Sequence, residues 1–243
     1  MTEVQICLLG VRARIRATYW VAVLLYGLVV TECRPHALAL LPFVLATTAV
    51  LVVHELGHVV VGRLVGKRLE LVLNATGPHS VLADGETPNM GGGEVLLTLL
   101  GGVAASLLLV LGLGVALLLV APGSAEALAW GWGMLFGEAP EALAAGWPPL
   151  ALLWLVYGVQ VAVVWLLLNA LPIYPFDGGL VLRCIIGSER RANILSLGLT
   201  SALALGALAM GWWWVGGGLM WLALMSYYRA FMRAQDDEGI KRS

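Results

Sequence analysis

The sequence predicts an all-α polytopic membrane protein with about six transmembrane helices and a short β-hairpin or strand after the second span. Of its 243 residues, 60% are hydrophobic and only 12% charged, and the mean hydropathy is +0.90. That balance is far from the one a soluble globular domain keeps. The apolar residues also gather into runs of about 20, the length a helix needs to cross hydrocarbon. Between the second and third runs, Leu69, Leu71 and Leu73 alternate with more polar neighbours and are followed by turn residues, which is a strand or hairpin signal.

In chain order, a cytoplasmic N-terminal segment (1–17) carries the basic stretch VRARIR (Val11 to Arg16) and no small-residue cleavage site follows it, so the first span is expected to be retained. The spans are expected at about Thr18 to Thr31, Ala37 to Leu64, Val95 to Val120, Leu150 to Leu168, Asn193 to Met210 and Trp212 to Phe231. The first is short and has to tilt, borrow flanking residues or thin the bilayer. The turn between the last two falls at Gly211 or within Gly216 to Gly218. Residues 18–231 read as one transmembrane domain, and 232–243 as a polar cytoplasmic tail.

Six spans place both termini and alternate loops on one side. That side collects Arg12, Arg14, Arg16, Arg63, Lys67, Arg68, Arg183, Arg190, Arg191, Arg229, Arg233, Lys241 and Arg242, against Arg34 alone on the other. The excess marks the cytoplasmic face, so a multi-pass protein of the cell membrane with both termini cytoplasmic is expected, while the connection from Ala121 to Pro149, with three glutamates and no Lys or Arg, reads as exported. A net charge of -1 gives no basic field for nucleic acid. Cys7, Cys33 and Cys184 are scattered and form no CxxC pair, so they read as packing residues.

Within the second span, LVVHELGHVVVG (Leu51 to Gly62) sets two histidines and a glutamate in an apolar run. Ionisable groups inside a span cost a few kcal/mol each on insertion scales, so their default reading is functional rather than a polar cluster joining helices. His54 and His58 are four residues apart, which places both imidazoles on one helix face where they can share a tetrahedral metal. HExxH is the zinc-hydrolase pattern: zinc lowers the pKa of the water it holds, and the glutamate, here Glu55, takes its proton as general base. A third ligand must come from elsewhere. NALPIYPFDGG (Asn169 to Gly179) offers Asp177, because Pro172 and Pro175 end the helix while Gly178 and Gly179 permit tight turning. His36 and His79 have no partners at metal spacing and read as ordinary loop residues.

HELGH together with NALPIYPFDGG resembles the site-2 protease family of intramembrane zinc metallopeptidases, whose second motif is N-x-x-P-x-x-x-x-D-G. The resemblance covers a catalytic core of about 37–179 and, through the six-span layout, most of the chain. It implies one Zn2+ per chain held by His54, His58 and Asp177, with Glu55 as base and Asn169 near the scissile peptide or its oxyanion. It further implies a membrane-spanning protein as substrate, within the lipid bilayer; the oligomeric state is left open. One departure stands in the third span, where a G-P-x-x-N element is usual in the family. Here GGVAAS has Val103 in place of proline and Ser106 in place of asparagine. Ser106 still hydrogen-bonds, but reaches less far than an amide.

The expected function is hydrolysis of a peptide bond in or near a transmembrane segment of another protein, with the Leu69 to Leu73 strand holding the unwound segment by edge addition. Two alternatives are a membrane zinc hydrolase acting on a lipid or small amide, and a non-catalytic metal-binding membrane protein, which would have no use for Glu55 as a base.

Overall fold

The computed structural model describes residues 3–30, 37–75, 77–83, 90–120 and 150–228. The expected exported loop at 121–149, Arg34, His36 and the tail at 232–243 lie outside the described residues, as does the last part of the sixth expected span.

No strand is expected from the sequence in 1–17, yet the chain begins with a hairpin, β1 (Glu3–Leu8) and β2 (Val11–Arg16). Leu9 and Gly10 join them, both at positive φ (52° and 74°). Such a two-residue turn matches the twist of antiparallel strands. The alternation in VRARIR is the cause: Val11 and Ala13 are buried while the arginines point away from them. A basic flank and a strand share this pattern, and the charge alone suggests only the flank.

From β2 the chain runs through helices α1 (Ala17–Val30) and α2 (Ala37–Leu64), then returns as β3 (Leu69–Asn74), parallel to β2. A parallel pair needs a long crossover, and the two helices supply it. Strand β4 (Gly77–Leu82) folds back on β3, completing a sheet of order β1-β2-β3-β4. The expected hairpin after the second span is therefore present, as half of a larger sheet. Strand β3 lies between β2 and β4, so the expectation that it receives another chain along its edge is corrected. Its hydrogen-bonding edges are both taken, and the outer strands are β1 and β4.

One face of this sheet is the floor of a core. Val11, Ala13, Leu69, Leu71 and Leu73 pack with Tyr19 and Val23 of α1 and with Phe43, Val44 and Val59 of α2. The Tyr19 hydroxyl donates to Thr48 Oγ1 at 2.9 Å, and Thr48 donates in turn to the Val44 carbonyl at 2.8 Å. Glu70, buried in the central strand, is held by Arg12 at 3.1 Å and Arg14 at 3.3 Å. Two guanidinium partners are what makes a carboxylate tolerable there.

Helices α3 (Gly92–Val120), α4 (Leu150–Ala170), α5 (Asp177–Ile186), α6 (Glu189–Ala209) and α7 (Trp213–Tyr227) follow. Six of the seven helices among the described residues stand where the six spans are expected. Among the described residues, four are long and apolar enough to cross a membrane: Leu40–Leu64, Gly92–Val120, Ala151–Ala170 and Glu189–Ala209. Ala17–Leu28 and Val215–Tyr227 are shorter apolar helices. The first falls short because its upstream residues are spent on β2.

The chain divides into two compact units, Met1–Met90 with Leu100–Leu166, and Gly91–Leu99 with Leu167–Ser243. In the first unit a second apolar cluster joins Val50 of α2, Leu113 and Leu117 of α3, and Val156, Val159 and Ala162 of α4. Here α2 and α3 cross at glycines: a Cβ on Gly101 would sit 2.6 Å from the Gly57 carbonyl oxygen, and one on Gly57 would sit 2.6 Å from Ala105 Cβ. Small residues allow such backbone approach where lipid offers helices no hydrophobic reason to associate. In the second unit, α6 and α7 form a helical hairpin that turns at Gly211 (φ 79°), and Ser196 and Ser226 hydroxyls meet at 3.2 Å between them.

Gly57→Val is expected to destabilise the protein by about 1–3 kcal/mol, the usual range for overpacking. Gly112→Val, at a position with open space around it, serves as control and leaves the unfolding midpoint in place. Thermal unfolding in detergent measures both, and equal midpoints would contradict the close crossing.

Candidate metal centre

The HELGH segment forms about a turn and a half in the C-terminal part of α2, and all three of its ionisable residues are buried, His54 at 1%, Glu55 at 4% and His58 at 6% exposure. Their ligand atoms lie within 4.8 Å of one another. The spacing of four residues brings His54 Nε2 and His58 Nε2 to 3.2 Å, with the rings nearly perpendicular. With both Nε2 atoms unprotonated, the two nitrogens can share one cation. Two nitrogens on one tetrahedral zinc at about 2.0–2.1 Å each stand about 3.3 Å apart. The pair therefore fits a zinc ion.

Three neighbours hold this arrangement. Ser106 Oγ lies 2.8 Å from His54 Nδ1, a hydrogen bond that fixes the ring with Nε2 toward His58; in the tautomer that leaves Nε2 open to a metal, Nδ1–H is the donor. The departure from the asparagine usual at this place thus retains a polar partner, supplied by α3. Trp165 of α4 stands edge-on to the His54 ring, with centroids 5.7 Å apart. Gly102 is the third: a Cβ there would overlap the His58 imidazole and come within 2.9 Å of His54 Cε1. The glycine is a requirement of the two rings, since only a residue without a side chain leaves them room.

Glu55 faces the sheet. Its Oε2 accepts a 2.7 Å hydrogen bond from the Ser80 hydroxyl of β4. Sequence reasoning missed Ser80, because a serine in a hairpin has no signature; only the folding of β4 against α2 brings it here. Gly102 has a sequence signal only in hindsight, as half of a Gly-Gly pair one helical turn before Ser106.

The second motif occupies the second unit. Asn169 closes α4 and Asp177 opens α5, and both are buried. The Asp177 amide donates to Asn169 Oδ1 at 3.3 Å, so the two ends of the motif are tied across the intervening turn. A Cβ on Gly178 would overlap the Leu171 carbonyl, and one on Gly179 would sit 2.6 Å from the Ile173 oxygen. The tandem glycines let the start of α5 lie directly on the loop before it. His79 is exposed on β4 and takes no part in the buried group.

A chain of apolar helices enclosing a buried group able to bind a metal defines a multi-pass membrane protein with a candidate metal centre. Its fold is similar to that of the solved Site-2 Protease from Methanocaldococcus jannaschii, with a TM-score of 0.53, 17% sequence identity, and 94% of each chain covered. The resemblance carried by the two motifs is thus met by the fold. No protein-family model and no curated protein matches the chain by sequence.

Ser106→Ala is expected to weaken zinc binding by about 10-fold or more, the usual cost of removing a histidine ligand's hydrogen-bond partner. Competition with a chelator measures it. Unchanged affinity would mean that Ser106 does not orient His54.

Proposed function

We propose that the chain is an intramembrane zinc metalloendopeptidase that cleaves a peptide bond in or near a transmembrane segment of another membrane protein, the chemistry of regulated intramembrane proteolysis. The observation that carries this reading is the buried His54, Glu55 and His58 group on an apolar helix, within a fold similar to that of a site-2 protease. His54 and His58 hold the metal, one zinc per chain, and Asp177 is assigned as the third protein ligand from its motif. Bound zinc would act as a Lewis acid, acidifying water and polarising the scissile carbonyl.

Glu55 accepts a proton from the attacking water and can return it to the leaving amine. Asn169 uses Oδ1 on the Asp177 amide, so the group it offers a developing oxyanion is its Nδ2–H. Substrate helices bond their own peptide groups, so a segment must unwind before cleavage. Outer strand β4, rather than β3, is the edge suited to hold it. From the Lys and Arg asymmetry, both termini face the cytoplasm. A lipid or small-amide hydrolase would use the same group, and a non-catalytic metal protein would have no use for Glu55.

Purified protein is expected to hold about one zinc, lost in the His54→Ala, His58→Ala double variant. Glu55→Gln keeps the zinc while cleavage of a membrane-spanning test substrate falls by about 10²-fold or more. Asp177→Asn lowers zinc content itself, because an amide is a poorer ligand than a carboxylate. Full activity in Glu55→Gln would overturn the mechanism. Release of product from a lipid amide, with no peptide cut, would keep the metal chemistry and replace the protease.

Cysteine labelling of intact cells tests the orientation: a Cys placed at Ser124 reacts and one at Ser243 does not. The reverse pattern would refute the assignment.

A further inference from the structure

We infer that Ser80 is a positioning residue for Glu55, coupling the outer strand of the sheet to the catalytic base. The inference rests on the protease reading above. Its basis is the 2.7 Å hydrogen bond from Ser80 Oγ to Glu55 Oε2, and a second approach of the same hydroxyl to the Glu55 carbonyl oxygen at 3.4 Å. Glu55 is buried, where a carboxylate needs a donor and where side-chain rotation without one goes unchecked. A single O–H on Oε2 anchors that oxygen and leaves Oε1 as the one to accept a proton from water.

The donor's place in the fold gives the contact its meaning. Ser80 lies in β4, paired on one side with Leu71 of β3 and, among the described residues, with no strand on the other. A peptide added to β4 would use main-chain groups of that strand, while the Ser80 side chain already grips the base. Removing the hydroxyl therefore leaves the edge intact and disturbs only the group that performs the chemistry. The effect belongs in kcat and not in KM.

The experiment compares wild type with Ser80→Ala and Ser80→Thr, all loaded with zinc and assayed on one membrane-spanning substrate. Ser80→Ala is expected to keep one zinc per chain and an unchanged KM, with kcat lower by about 10-fold, as for the loss of a hydrogen bond to a charged group. Ser80→Thr, which restores the hydroxyl and suits a strand, recovers most of kcat. Infrared spectra of the metal-free proteins give a readout independent of activity. The Glu55 carboxylate band, identified by its loss in Glu55→Gln, should shift in Ser80→Ala and return in Ser80→Thr. An unshifted band shows there is no such contact. A shifted band with kcat unchanged, or a loss confined to KM, overturns the positioning role. Wild type that cuts no peptide overturns the protease reading and this role with it, while the band still reports the contact.

Discussion

Everything in the first unit answers one constraint: α2 carries three ionisable side chains through an apolar helix. Each costs a few kcal/mol in hydrocarbon, more than most single packing contacts return. Neighbouring side chains meet part of that cost. Ser106 takes His54, Ser80 takes Glu55, and the two imidazoles face each other at the distance a shared metal ion suits. Each of these contacts lowers the cost of carrying a polar group in the helix.

That requirement explains why α3 is rich in glycine where it passes α2. Gly101 permits backbone contact at Gly57, and Gly102 leaves room for both imidazole rings. A bulkier helix would stand further off and place Ser106 beyond reach of His54. Close packing and the geometry of the candidate metal centre thus depend on the same short stretch, Gly101 to Ser106.

The sheet performs a second task. Strands β1 and β2 precede the helices, β3 and β4 follow α2, and the parallel pairing of β2 with β3 fixes the hairpin against the C-terminal part of α2. Arg12 and Arg14 secure this pairing through Glu70. The N-terminal residues therefore support, at one remove, the strand that carries Ser80. A basic segment that topology rules treat as a flank is also part of the scaffold beneath Glu55.

The sequence by itself determined the membrane class, the places of six apolar helices, the hairpin after α2 and the metal-binding pattern of HELGH, because each is local. Hydropathy, alternation of period two and the spacing of four residues on a helix are properties of contiguous residues. The placement of His54 and His58 on one helix face follows from that spacing. What tertiary structure alone decided is who stands beside them. The assembly of VRARIR into a sheet with β3, the reach of Ser80 to Glu55, and the fit of Gly102 against the imidazoles join residues 25 to 60 positions apart in sequence. No composition or period records such pairings, since they arise only when the crossover returns the chain and close packing selects which side chains meet.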